Sequence, residues 1–138
     1  MQLVLKRIAY SLICVLPFAM LYVLSELFFK DAYLFKWMRD HYYLFLFAAA
    51  MLIAFVNFKA GAAFSLSYFV SVTAAQFIGA AVQNHRFATL TADMSEGELS
   101  RIVSVNPTFA IWLITFAMLL FACALFVIFK RSNAYKRA

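Results

Sequence analysis

His41 and His85 are the two side chains best suited to move protons near neutral pH, and an imidazole beside a serine is the start of a hydrolase. Ser95 and Ser104 follow His85 in one connection, among Asp93, Glu96 and Glu98, so a nucleophile, a base and an acid can all be named. Their spacing does not join them: the chain has no GxSxG, HExxH or paired-carboxylate motif. It is read as non-enzymatic and as needing no cofactor. Metal chemistry fares no better, because His41, His85, Cys14 and Cys123 stand in four separate segments without ligand spacing. Both cysteines lie inside apolar runs and read as small buried hydrophobes, at similar depth and able to meet if the first and last helices are neighbours.

The polar residues with a clearer pattern lie between Gly61 and Gln83. Ala63, Ser67, Ser71, Ala75 and Gly79 recur every fourth position, so on a helix they make a ridge with little bulk, the surface that lets two backbones approach closely in lipid. Ser65, Thr73, Gln76 and Gln83 fall within about 80° of one another at ~100° per residue, a polar stripe offset from that ridge. A symmetric ring of copies could line a pore with such a stripe; in a single copy Gln76 would make an interhelical hydrogen bond. The second use, as glue, is preferred. No ionisable residue sits near the expected midplane of a bilayer, which speaks against proton-coupled transport and voltage sensing.

These patterns need elements to carry them, and composition supplies their kind. Of 138 residues, 67% are hydrophobic and 13% charged, against roughly 25% charged in ordinary globular chains. Four apolar runs, at 8–29, 42–58, 61–83 and 107–129, approach the length that crosses a ~30 Å hydrocarbon core at ~1.5 Å per residue. The expectation is an all-α integral membrane protein, one domain of four transmembrane helices in a bundle. The first run is too long for the apolar core of a signal peptide and lacks a small-x-small cleavage pattern, so it is read as a membrane helix, with a kink at Pro17. Glu26 falls at the far end of that run and is expected to pair with Lys30 in the next turn.

Short amphipathic helices are predicted in two connections. Leu34, Trp37, Met38 and His41 share one face at i, i+3, i+4 and i+7, and Trp37, Tyr42 and Tyr43 suit the headgroup level. In the loop 84–106, Ser95 and Glu98 have capping-box spacing ahead of Leu99, Ile102 and Val103, which predicts a helix over 96–104. Asn57 and Gly61 are expected to form the turn between the second and third runs, and Asn106-Pro107 to start the fourth.

Charge sets the expected orientation. Lys6, Arg7, Lys59, Lys130, Arg131, Lys136 and Arg137 fall at one end of the bundle with no acid, while Lys30, Lys36, Arg39, Arg86 and Arg101 share the other end with all the acids. The positive-inside rule then places both termini in the cytoplasm, giving an inner face that attracts anionic lipid or an acidic partner. A pI near 9.6 would fit nucleic acid, but the charges flank membrane runs and form no continuous stripe, so no direct nucleic-acid contact is expected.

The functional expectation is a small bacterial inner-membrane protein that works through helix–helix assembly, as a homo-oligomer and as anchor, sensor or regulator for a separate soluble or membrane protein. The alternative is a homo-oligomeric channel or small transporter. Membrane proteins of bacterial anti-phage defence, and immunity proteins against pore-forming toxins, share this size and helix count; the analogy is one of architecture, without matching motifs.

Overall fold

The computed structural model describes residues 2–90 and 94–135. All regular structure among them is helical: α1 (Gln2–Ile13), α2 (Leu16–Leu27), α3 (Tyr33–Asp40), a 3-10 turn (Tyr43–Phe45), α4 (Leu46–Val56), α5 (Phe58–Ala88), α6 (Glu96–Ser104) and α7 (Thr108–Tyr135). Three segments are long and apolar enough to cross a membrane: Val4–Leu27, Phe58–Ala88 and Thr108–Phe129. A fourth is formed if α3 and Tyr43–Val56, bent by 77°, count as one broken span.

The first of these segments is interrupted where proline chemistry requires it. Pro17 has no N–H to give to the carbonyl one turn back, and the helix breaks at Cys14 and Val15, so that Pro17 falls in the first turn of α2. The turn at Asn57 is tighter than the sequence implied. Asn57 alone leaves the helical conformation, at φ −145° and ψ 102°, and its side-chain oxygen accepts the N–H groups of Lys59 and Ala60. The third run therefore begins at Phe58, ahead of the expected Gly61, and continues to Ala88. At 31 residues, α5 is ~46 Å long, well beyond the ~30 Å hydrocarbon core.

Gly61 is thus a packing residue and no part of a turn. A Cβ there would stand 2.6 Å from the Cα of Ala54, so its absence lets α4 lie directly on α5. α5 is the central element, touching α1, α2, α3, α4, α6 and α7. The core forms around Tyr68, which stacks on Phe18 at 4.7 Å and meets Trp112 and Phe116 edge-on.

Candidate functional site

Interrupted helices buried among other helices leave backbone groups without partners, and each costs on the order of 1–3 kcal/mol if it stays unpaired. The polar stripe of α5 meets those groups one by one. Ser65 donates its hydroxyl to the carbonyl of Cys14, at the break between α1 and α2. Eleven residues on, about three turns, Gln76 Oε1 accepts the N–H of Leu34 at 2.7 Å. Leu34 is in the first turn of α3, whose N-cap Ala32 has no side chain able to cap it. Gln83 Nε2 donates to the carbonyl of Ile102 at 3.2 Å, in the last turn of α6, and Arg86 Nη1 reaches the carbonyl of Val105 just beyond. Ser65, Gln76 and Gln83 are all buried. Thr73 differs: it is half-buried and bonds the Phe69 carbonyl of its own helix at 2.8 Å.

Tyr68 completes the set and was hidden in the sequence among the apolar residues. Its hydroxyl lies 3.1 Å from the Tyr43 carbonyl, in the 3-10 turn, and 2.9 Å from Met38 Sδ. A tyrosine in mid-run, away from the interface where such rings collect, was the available signal, because a phenol in apolar surroundings needs a partner. Residues 65, 68, 76 and 83 share one side of α5, so one helix face holds the break in the first segment, the bend of the second and the start of α3 and end of α6.

The small ridge faces α7. A Cβ on Gly79 would lie 2.6 Å from the Cα of Thr108, so the helices touch backbone to backbone there. Ser67 Oγ stands 3.9 Å from Cys123 Sγ, and Ser71, buried with Ala75, donates back to the Tyr68 carbonyl. Ala63 is half-buried at the ridge's start. The pairing of Ser67 with Cys123 and of Gly79 with Thr108 runs α5 and α7 antiparallel.

Three expectations are corrected. Cys14 and Cys123 do not meet: one lies against Ser65 and the other against Ser67, about 200° apart on α5 at ~100° per residue, so that helix separates them. Glu26 pairs with Arg39 at 2.7 Å, not with Lys30. α2 ends at Leu27, so Lys30 is no longer one helical turn away, and its carbonyl instead faces Arg39 Nη2 at 3.5 Å. The buried face of α3 is Leu34, Phe35 and Met38; Trp37 packs between Tyr43 and Phe109, and His41 is exposed beyond the helix end.

The residues considered for catalysis are engaged locally. His41 Nδ1 is 2.9 Å from the Trp37 carbonyl with its ring stacked on Trp37, while His85 and Ser104 are exposed. Ser95 and Glu98 form the capping box of α6, and the two hydrogen bonds from Ser95 hold the Glu98 carboxyl below the usual carboxylate range. Among the described residues, no three of His, Cys, Asp and Glu are grouped to hold a metal ion.

Lys6, Arg7 and Lys59 are exposed at one end of the molecule, drawn together by the packing of Tyr10 on Phe58 at 4.7 Å. The antiparallel course of α7 carries the backbone of Lys130 and Arg131 toward that end; Lys136 and Arg137 lie outside the described residues. No protein-family model matches the chain, and no curated protein or solved structure is significantly similar to it.

Proposed function

We propose that the chain is a multi-pass membrane protein that acts by assembly, as an anchor or regulator for another polypeptide, through the outward face of α7 and the basic end beside it. The observation that carries this reading is the use of the polar stripe: Ser65, Gln76 and Gln83 each bond a backbone group of the same chain, which leaves little polar surface for a pore. The outward face of α7 has the opposite character. Ile114, Met118, Phe121 and Ile128 fall at i, i+4, i+7 and i+14, all exposed and apolar, a surface suited to lipid or to another helix. The basic end formed by Lys6, Arg7 and Lys59 would then contribute attraction toward an acidic partner or anionic headgroups.

Cysteine crosslinking in native membranes tests it, in a Cys123→Ala background. Met118→Cys or Phe121→Cys should give a discrete crosslinked species, either a pair of copies or a fixed partner, whereas a cysteine at Val23, on the other side of the molecule, should not. The channel reading makes a different forecast: purified protein in planar bilayers would pass ions, and Gln76→Leu would change that current. Ion flux altered by Gln76→Leu, with no crosslinked species from α7, would replace the assembly reading with the pore.

A further inference from the structure

α6 has an apolar face that nothing in the described chain covers. Leu99, Ile102 and Val103 stand at i, i+3 and i+4, within about 100° of one another at ~100° per residue, while Gly97, Arg101 and Ser104 take the opposite side. Leu99 and Val103 are 42% and 55% exposed, Val105 just beyond the helix is exposed as well, and no residue of α6 is buried. The bonds that tie it to α5 are polar, from the Gln83 and Arg86 side chains to the carbonyls of Ile102 and Val105. A helix of nine residues is too short to persist alone in water, where even good sequences need ~12–15, and its capping box contributes only about 1 kcal/mol. A cover over Leu99 and Val103 would supply what α6 lacks.

The register of α5 against α7 gives the depth of that face. The apolar segment of α7 begins at Thr108, and the backbone of Thr108 lies against Gly79. Gln83 is ~6 Å and Arg86 ~10 Å further along α5 at ~1.5 Å per residue, so the carbonyls they bond hold the C-terminal end of α6 just outside the end of the hydrocarbon-spanning segment. That is the headgroup layer, about 5–8 Å thick on each side of the hydrocarbon core. A helix with one apolar face at this level buries it at the boundary between headgroups and acyl chains. Glu96, Glu98 and Arg101 leave α6 with one net negative charge, so lipid charge is not what draws it in. Three apolar side chains are also a small patch for a protein partner, since stable interfaces take ~20–30 residues a side.

We propose that α6 is an interfacial helix that lies on the bilayer surface beside the ends of α5 and α7, with Leu99 and Val103 inserted among the lipids. The proposal rests on the membrane reading of the chain and is independent of assembly through α7. Its test is a fluorescent thiol label placed at Leu99→Cys, Val103→Cys, Gly97→Cys or Leu16→Cys in a Cys14→Ala, Cys123→Ala background. Each protein is reconstituted in phosphatidylcholine vesicles with lipid nitroxides fixed near the headgroup or near the chain end. A Cβ at Gly97 meets nothing within 4 Å, so that label reports the outer side of α6, and Leu16 is an exposed residue inside the span Val4–Leu27. Labels at Leu99 and Val103 should be quenched most by the shallow nitroxide, at a depth of ~5–10 Å, and should keep that depth when phosphatidylglycerol is added. The label at Gly97 should be quenched by aqueous iodide instead, and that at Leu16 by the deep nitroxide. Leu99 and Val103 as open to iodide as Gly97, with Leu16 still quenched from within the bilayer, would overturn the proposal and leave the membrane reading standing. Shielding of Leu99 and Val103 from both lipid and water would also overturn it, giving the face to a second copy or another protein. A Leu16 label untouched by either nitroxide would remove the membrane reading and the proposal together.

Discussion

α5 and α7 are both long and apolar enough to cross a bilayer, yet 44% of the most apolar stretch of α5 is buried inside the molecule against 6% for α7. The buried helix is also the less apolar one, carrying three serines, a threonine and two glutamines between Phe58 and Gln83, whereas α7 from Thr108 to Phe129 is almost wholly aliphatic and aromatic. In water this order would be reversed. In lipid, exposure of an apolar side chain costs nothing, so burial falls to the helix with polar groups to satisfy and small residues that let neighbours close in. The contrast separates two kinds of surface in one small protein: an inner face that holds broken helices together, and an outer face of exposed apolar side chains.

Filling the ridge should break that contrast most severely. Gly79→Leu would drive side-chain atoms into the backbone of α7 at Thr108 and should cost about 3 kcal/mol or more, the upper end for overpacking. Ala117→Leu, at an exposed position on α7, should stay within about 0.5 kcal/mol. Thermal or steric-trap unfolding in detergent compares the two directly, and similar values for both would erase the distinction between the faces.

The stripe comes next in size. Gln76→Leu keeps the bulk and removes the acceptor from a buried Leu34 N–H, for an expected loss of about 1–3 kcal/mol. Ser65→Ala should lose about 1 kcal/mol at the α1–α2 break. Thr73→Val should be near neutral, because its hydroxyl only bonds back to its own helix. If Thr73→Val proved as damaging as Gln76→Leu in the same unfolding assay, the stripe would have to include it.

Much of this frame was legible in sequence because it depends on local rules. Runs of apolar residues marked the long helices, Pro17 marked the break in the first, and Ser95 with Glu98 announced α6 through a four-residue pattern. The small ridge and all four residues of the polar stripe were read from helical spacing, and three of those four, Ser65, Gln76 and Gln83, bond another element. What they touch was not, since periodicity gives a face of a helix but no partner for it. Tyr68 counted as one more aromatic until its hydroxyl had a carbonyl to meet. Gly61 read as a turn residue because the constraint on it comes from Ala54 on another helix, and the Glu26–Arg39 pair spans thirteen residues and a change of direction that no i, i+4 rule covers.

The smallest expected effect concerns α6, which has no buried residue and is held to α5 through Gln83 and Arg86. The Glu98 carboxyl has its pKa lowered in the folded helix by the bonds from Ser95, so its support for the capping box is present above the ordinary carboxylate range. That support is lost as pH falls through the lowered folded value. Backbone carbon shifts of residues 96–104 measured from neutral to about pH 3 should show α6 fraying at the acid end while α5 is unchanged. In Ser95→Ala the fraying should already be present at neutral pH.

The central claim is that the polar side of α5 caps broken helices inside the chain. Its most direct test is the exchange of the Leu34 amide in lipid nanodiscs, followed by NMR in the wild type and in Gln76→Leu. The Leu34 N–H should be strongly protected in the wild type and exchange at least tenfold faster in the variant, with the amides of α7 unaffected. A Leu34 amide equally protected in both proteins would contradict it, and would return Gln76 to the choice between pore lining and a contact with another chain.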